Sequence, residues 1–162
     1  MKQFDLQGNT LTLRVKKSPV LVRAFMIFVT FLSFIFSVAP LIFGSLFGYG
    51  FQIQYFGILL IFGLIGFYLL RVSLWNTYGK ETFNFLTPTI LYEADYGLFK
   101  DGKKRLELKR LILTYFPVGY EEDNKGLLVL GDGENWIQSV VKMPIGQLDE
   151  LIEELNSRFK IE

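Results

Sequence analysis

The chain has 162 residues, the size of about one ordinary domain, with an apolar fraction of 51%. It contains no Cys and no His, which excludes disulfides, thiol catalysis, c-type haem attachment, Cys/His zinc sites and histidine-based acid–base or triad chemistry. The net charge of +1 hides a division: residues 1–80 hold seven Lys/Arg against one acid, and the remainder holds ten against fifteen. A basic half before an acidic one fits a membrane anchor followed by a water-facing domain, and it disfavours nucleic-acid binding by the acidic half.

In Phe4-Asp5-Leu6-Gln7-Gly8-Asn9-Thr10-Leu11-Thr12-Leu13-Arg14-Val15, apolar residues alternate on either side of a Gly-Asn pair. This predicts a short hairpin, or one strand with a lead-in. A cleaved signal peptide is not expected, because the apolar run that follows starts late, is too long and has no small-residue cleavage site after it. From Ala24 to Leu70 no residue is charged. A bilayer core takes about 20 apolar helical residues to cross, so this run predicts two spans and a short connection.

The first span is expected over about 19–43, with Pro19 in the first turn, where its missing N–H costs nothing, and Pro40 kinking or ending the helix. Gly44, Gly48 and Gly50, interleaved with Phe47, Tyr49 and Phe51, make an uncharged turn. A second span over about 52–72 returns the chain. Arg14, Lys16, Lys17 and Arg23 precede the pair and Arg71 and Lys80 follow it, while the connection has no cation; the positive-inside rule then puts both termini in the cytoplasm. Lys16, Lys17, Arg23, Arg71, Trp75 and Tyr78 are the candidate membrane-interface anchors. Thr30, Ser33, Ser37 and Gly44 on the first helix, and Gly57, Gly63 and Gly66 on the second, are the small residues that let helix backbones approach in lipid. The plain expectation is a self-packed hairpin, with a face for another membrane protein as the alternative. Neither span holds an internal ionisable group, so transport by this chain alone is not expected.

From Glu81 onward short β segments follow. Glu81–Thr87 alternates, Thr89–Tyr96 breaks at Gly97, and Asp101-Gly102 reads as a hairpin turn before Arg105–Lys109. Leu111–Phe116 precedes an acidic loop at Glu121-Glu122-Asp123. Leu127–Leu130, a turn at Gly131–Asn135 and a last strand from Trp136 to Met143 complete six or seven strands, the spacing of an antiparallel barrel or sandwich. Leu148, Leu151, Ile152, Leu155 and Phe159 then recur at helical spacing with acids early and Arg158 and Lys160 late, predicting an amphipathic helix over about 145–160 that closes the β domain.

Two apolar helices, the stretch Leu74-Trp75-Asn76-Thr77-Tyr78-Gly79-Lys80-Glu81, then Gly97-Leu98-Phe99, Arg105-Leu106-Glu107-Leu108 and Ile112, and a final Leu-rich helix occur in that order. In this order of elements the chain, from about residue 10, resembles bacterial membrane-anchored pleckstrin-homology-like (PH-like) domain proteins. The resemblance implies a seven-stranded, strongly bent antiparallel barrel capped by the helix at about 145–160, and a binding or assembly module rather than an enzyme. It brings no ligand site with it.

The candidate lipid-headgroup residues are Lys100, Lys103, Lys104 and Arg105, with Lys109 and Arg110 beyond; near an anionic leaflet each cation contributes about 1 kcal/mol. The plain alternative is a solvated turn paired with Glu107. Glu121, Glu122, Asp123, Asp132 and Glu134 match no calcium loop and read as solubilising charges. Glu93 and Asp95 share one strand face, which does not make the two-sided cleft that carboxylate chemistry needs. Trp136 is expected in the core, with an exposed contact as the alternative.

The sequence therefore predicts an α+β membrane protein in three parts: an N-terminal β segment (1–18), a transmembrane hairpin (19–73) and a cytoplasmic PH-like domain (74–162). The expected function is that of a non-enzymatic accessory or scaffold subunit of an inner-membrane complex, without cofactor. Membrane lipid and another membrane protein are its expected partners, and homo-oligomerisation is left open. The alternative is an anionic-lipid sensor using the basic hairpin.

Overall fold

The structure is a computed structural model that describes residues 2–48, 52–86, 88–107 and 111–159. The chain divides into two compact units, one formed by Met1–Lys16 together with Tyr78–Glu162, the other by Lys17–Thr77.

The helical unit consists of α1 (Val20–Leu46) and α2 (Ile53–Tyr78), both long and apolar enough to cross a membrane. Pro19 stands just before α1, and the first helical bond runs from the Arg23 N–H to the Pro19 carbonyl at 3.1 Å. Pro40 neither ends α1 nor shortens it to residue 43; the helix continues one turn further, as apolar helices tolerate when Ser/Thr side chains and neighbouring helices satisfy the backbone. α2 likewise runs past residue 72 to Tyr78, and in its last turns the Asn76 and Thr77 side chains donate to the Val72 and Ser73 carbonyls.

The β unit opens with β1 (Phe4–Gln7) and β2 (Thr10–Arg14), a hairpin turning at Gly8, whose φ of +57° a side chain would resist. β3 (Lys80–Leu86), β4 (Thr89–Asp95) and β5 (Lys100–Glu107) continue one antiparallel sheet in the order β1-β2-β3-β4-β5. A second sheet holds β6 (Ile112–Pro117), β7 (Lys125–Gly131) and β8 (Trp136–Gln138), with the short β9 (Met143–Pro144) on the other end of β7. α3 (Ile145–Phe159) follows. Alternation puts Phe4, Leu11, Leu13, Phe83, Phe85, Ile90, Tyr92 and Leu106 of the first sheet in a common core with Leu128, Leu130 and Ile137 of the second. Leu148, Leu151 and Leu155 of α3 complete it. The N-terminal hairpin is thus an integral part of the β domain, paired residue for residue with β3 from Thr10↔Asn84 to Arg14↔Lys80.

The sheets do not close into a barrel. Among the described residues no strand of one sheet pairs with a strand of the other. The opening at β1 is bridged by side chains instead: Gln3 Nε2 donates to the Lys142 carbonyl at 3.2 Å, Gln147 Oε1 accepts from the Gln3 N–H at 3.0 Å, and Arg158 donates to the Gly8 carbonyl at 2.8 Å. Phe159 stacks on Phe85, ring centroids 4.6 Å apart.

One turn and one strand differ from expectation. The chain reverses at Tyr96–Phe99, where Gly97 has φ +91°, and not at Asp101-Gly102. Asp101-Gly102 lies inside β5 as a bulge, with Gly102 (φ +67°) and Lys103 together opposite Glu93. The last strand, expected unbroken from Trp136 to Met143, is interrupted at 139–142.

Candidate functional site

The interruption at 139–142 has a specific cause. Glu81 lies on the same face of β3 as Phe83 and Phe85, so alternation turns its carboxylate into the core, where it is fully buried. Its Oε1 accepts from the Val140 N–H at 2.8 Å and its Oε2 from the Val141 N–H at 2.9 Å, while the Tyr92 hydroxyl donates to Oε1. Successive N–H groups of a straight strand point to opposite sides, so these two consecutive donors converge on one carboxylate only because the chain bends here, just after the Ser139 N–H donates to the Leu128 carbonyl of β7. Burial pushes the Glu81 carboxyl above its usual range, against these three hydrogen bonds and the Lys104 charge, which pull it down. The Tyr92 hydroxyl is also raised, by burial first and then by Glu81. The carboxylate ties the two sheets together. Sequence reasoning missed it, although its i, i+2, i+4 spacing with Phe83 and Phe85 was the available signal.

The basic residues of β5 do not form one open cluster. The bulge at Gly102 brings both Lys100 and Lys103 to Glu93, at 2.7 and 3.4 Å, and Arg105 pairs with Glu107 at 2.9 Å. Lys104 pairs in register with the inward residue Tyr92, on the other side of the sheet from Arg105. Lys80 adds a contact to Asp95 at 3.2 Å. The Lys100 hydrogen bond, with Lys103 behind it, holds Glu93 below the ordinary carboxylate range, and Glu93 in turn raises Lys100. Asp95 is pushed up by partial burial but held lower overall by the Gly97 N–H and Lys80. Lys109 and Arg110 lie outside the described residues. Among the described residues no group of three or more carboxylates gathers as a metal site would need.

In the helical unit, Thr30, Ser33, Ser37 and Gly44 of α1 and Gly66, Ser73 and Thr77 of α2 are buried, whereas Val20, Leu21, Phe25, Phe28, Phe31, Phe56, Leu60 and Leu64 are exposed. Thr30 Oγ1 and Ser73 Oγ lie 3.2 Å apart, and a Cβ on Gly66 would stand 3.1 Å from the Phe34 ring. Small and hydroxylated residues therefore form the seam, and the large apolar side chains face outward. Gly57 and Gly63 do not meet α1: a Cβ there would touch nothing within 4 Å. Of the candidate anchors, Lys16, Lys17 and Tyr78 are exposed, and Arg23, Arg71 and Trp75 are half-buried. The buried Nε of Arg23 has no hydrogen-bond partner among the described residues.

Trp136 is not in the core. It pairs in register with Gly131 on the outer face of the second sheet and is 63% exposed. There is no room for a Cβ at Gly131, where it would fall 2.9 Å from the Trp136 Cβ.

The described residues define a two-unit α+β chain: a pair of apolar helices that are candidate membrane spans, and a two-sheet antiparallel β unit closed by a C-terminal helix. No protein-family model matches the chain, and no curated protein or solved structure is significantly similar to it.

Proposed function

We propose that the chain is a non-enzymatic integral membrane protein that holds a PH-like β domain at the inner face of a cytoplasmic membrane, and that it acts there as an accessory or scaffold subunit of a membrane complex. One observation carries the reading. The helical pair is an insertion between two hydrogen-bonded neighbours of one sheet: the chain leaves β2 at Arg14–Val15 and resumes at Gly79–Lys80, where Val15 N–H donates to the Gly79 carbonyl at 3.0 Å and Arg14 pairs with Lys80. Helices that cross a bilayer between such positions must do so an even number of times, so both termini share one side. The concentration of Lys and Arg around those positions, and their absence from residues 24–70, favours the inner side.

The order of strands and the closing helix support a PH-like assignment in its open, two-sheet form, and such domains are binding or assembly modules. The small-residue seam supports a hairpin that packs on itself and leaves its outer apolar surface to lipid or to a neighbouring span. The pairing of Lys100 and Lys103 with Glu93, and of Arg105 with Glu107, weakens the lipid-sensor alternative, because these cations already have carboxylate partners. The test is gentle detergent extraction of the tagged full chain from its native membrane, followed by sizing and mass spectrometry. A stoichiometric protein partner is the expected result; a lone monomer that binds vesicles of anionic lipid would replace this reading with the alternative.

A further inference from the structure

The edges of the two sheets are protected unequally. β5, the long edge of the first sheet, carries Lys100, Lys103, Lys104 and Arg105, the charged side chains that keep an exposed strand from pairing with another chain. β6, the corresponding edge of the second sheet, reads Ile-Leu-Thr-Tyr-Phe-Pro and has no charge. Its hydrogen-bonding side can be assigned. The Val118 N–H donates to the Lys125 carbonyl at 2.9 Å, so antiparallel alternation turns Phe116, Thr114 and Ile112 toward β7 and turns the backbone N–H and C=O of Leu113 and Tyr115 away from it. No partner for these groups occurs among the described residues.

The face beside this edge is apolar. Ile112 and Phe116 are 44% and 60% exposed and lie in register with Gly131 and Leu127, and Trp136 extends the row at 63%. The ends of the strands are acidic: Glu121, Glu122 and Asp123 lie at one end, where Lys125 offsets Asp123 at 3.5 Å, and Asp132 and Glu134 at the other. Even counting Lys109 and Arg110, residues 109–138 hold five acids against three cations. An anionic leaflet would be repelled by such a rim, whereas a cationic segment would be attracted.

We propose that β6 is a strand-addition site for a protein partner. The occupant would be an extended segment of about six residues, matched to β6, with apolar side chains at alternate positions and Lys or Arg at its ends. It would bond to Leu113 and Tyr115, lay its apolar side chains beside Ile112, Phe116 and Trp136, and put its cations against the two acidic loops. This rests on the scaffold reading and names the surface and chemistry of its partner.

The test uses the full chain in its native membrane, with the photo-reactive residue benzoylphenylalanine at position 116, or in a second variant at 136, and with position 12 on the outer face of the first sheet as control. Cross-linked peptides are mapped by mass spectrometry. The expected adduct, absent from the control, joins a segment of another protein that alternates apolar residues and is flanked by Lys or Arg. A synthetic peptide of that segment should then slow amide exchange at Leu113 and Tyr115 by about tenfold or more, and Thr114→Lys should abolish the effect. Adducts to lipid or to a second copy of this chain, no adduct at either position, or a mapped segment lacking the cations or the alternation would each overturn the proposal. If a partner co-extracts but cross-links only through the helices, the strand site fails and the scaffold reading stands; if nothing co-extracts, the scaffold reading itself fails.

Discussion

Replacing Glu81 by Ala should cost the β unit more stability than any exposed substitution. The carboxylate is the acceptor for the Val140 and Val141 N–H groups and for the Tyr92 hydroxyl, all at or inside the core. Each donor left without a partner costs about 1–3 kcal/mol, partly offset because a buried charge is no longer desolvated. The net loss expected is about 3–5 kcal/mol, a fall in Tm on the order of 12–30 °C for a unit of this size. The measurement is thermal unfolding, followed by circular dichroism, of a chain in which residues 17–77 are replaced by Asn-Gly, joining β2 to β3 as a tight hairpin. Tyr92→Phe made in both backgrounds should show a coupling of about 1–2 kcal/mol, because its hydroxyl has a partner only when Glu81 is present. A loss below about 1 kcal/mol for Glu81→Ala would refute the argument that these three donors depend on it.

The same excised chain should itself be soluble and cooperatively folded, whereas residues 74–162 alone should not fold, since Leu11 and Leu13 are fully buried members of the core; urea titration of the two chains decides. Leu151→Ala should destabilise the excised chain by about 2–5 kcal/mol in the same titration. Acid stability should divide by site. The raised Glu81 gives a contribution present at low pH and lost as pH rises through its raised value. The lowered Glu93 and Asp95 give contributions present above the ordinary carboxylate range and lost as pH falls through their lowered values. Glu93→Gln with Asp95→Asn should therefore flatten the acid limb between about pH 6 and pH 2, read by urea midpoints at each pH, and a limb as steep as the parent's would contradict the pairing. In the full chain, Thr30→Cys with Ser73→Cys should cross-link on oxidation, since their hydroxyls lie 3.2 Å apart in a chain with no other cysteine. Adding Gly66→Leu should suppress that cross-link by driving a side chain into Phe34, and an unchanged yield would count against the seam.

Much of the architecture was legible because it follows from periodicity. The charge-free run from Ala24 to Leu70, the Gly8 turn between alternating strands, and the leucines of α3 at helical spacing each specify an element without help from the rest of the chain. What was not legible depends on pairing across the fold. Asp101-Gly102 is as good a bulge as a turn, and only the register against Glu93 decides between them. Trp136 reads as core or as an exposed contact from the sequence, and pairing with Gly131 on the outer face decides for the contact side. Whether the first hairpin joins the second half of the chain cannot be read across the two intervening apolar helices, since it is decided by the pairing of β2 with β3. Of the candidate sites, the basic residues were visible but their carboxylate partners depended on the bulge. The inward side of Glu81 follows from its spacing with Phe83 and Phe85, but its partners, the Val140 and Val141 N–H groups, lie 59 and 60 residues further on and depend on how the two sheets meet.

The central claim is that a membrane hairpin interrupts one β domain, leaving both ends of the chain on the inner side. Single cysteines at Ser45, Lys16 and Lys103, all exposed in a chain that has no other cysteine, test it with a membrane-impermeant maleimide. The account predicts that Ser45→Cys labels in intact cells, while Lys16→Cys and Lys103→Cys label together only after the membrane is opened. Labelling of Lys16→Cys and Lys103→Cys from opposite sides, or of all three without permeabilisation, would contradict it.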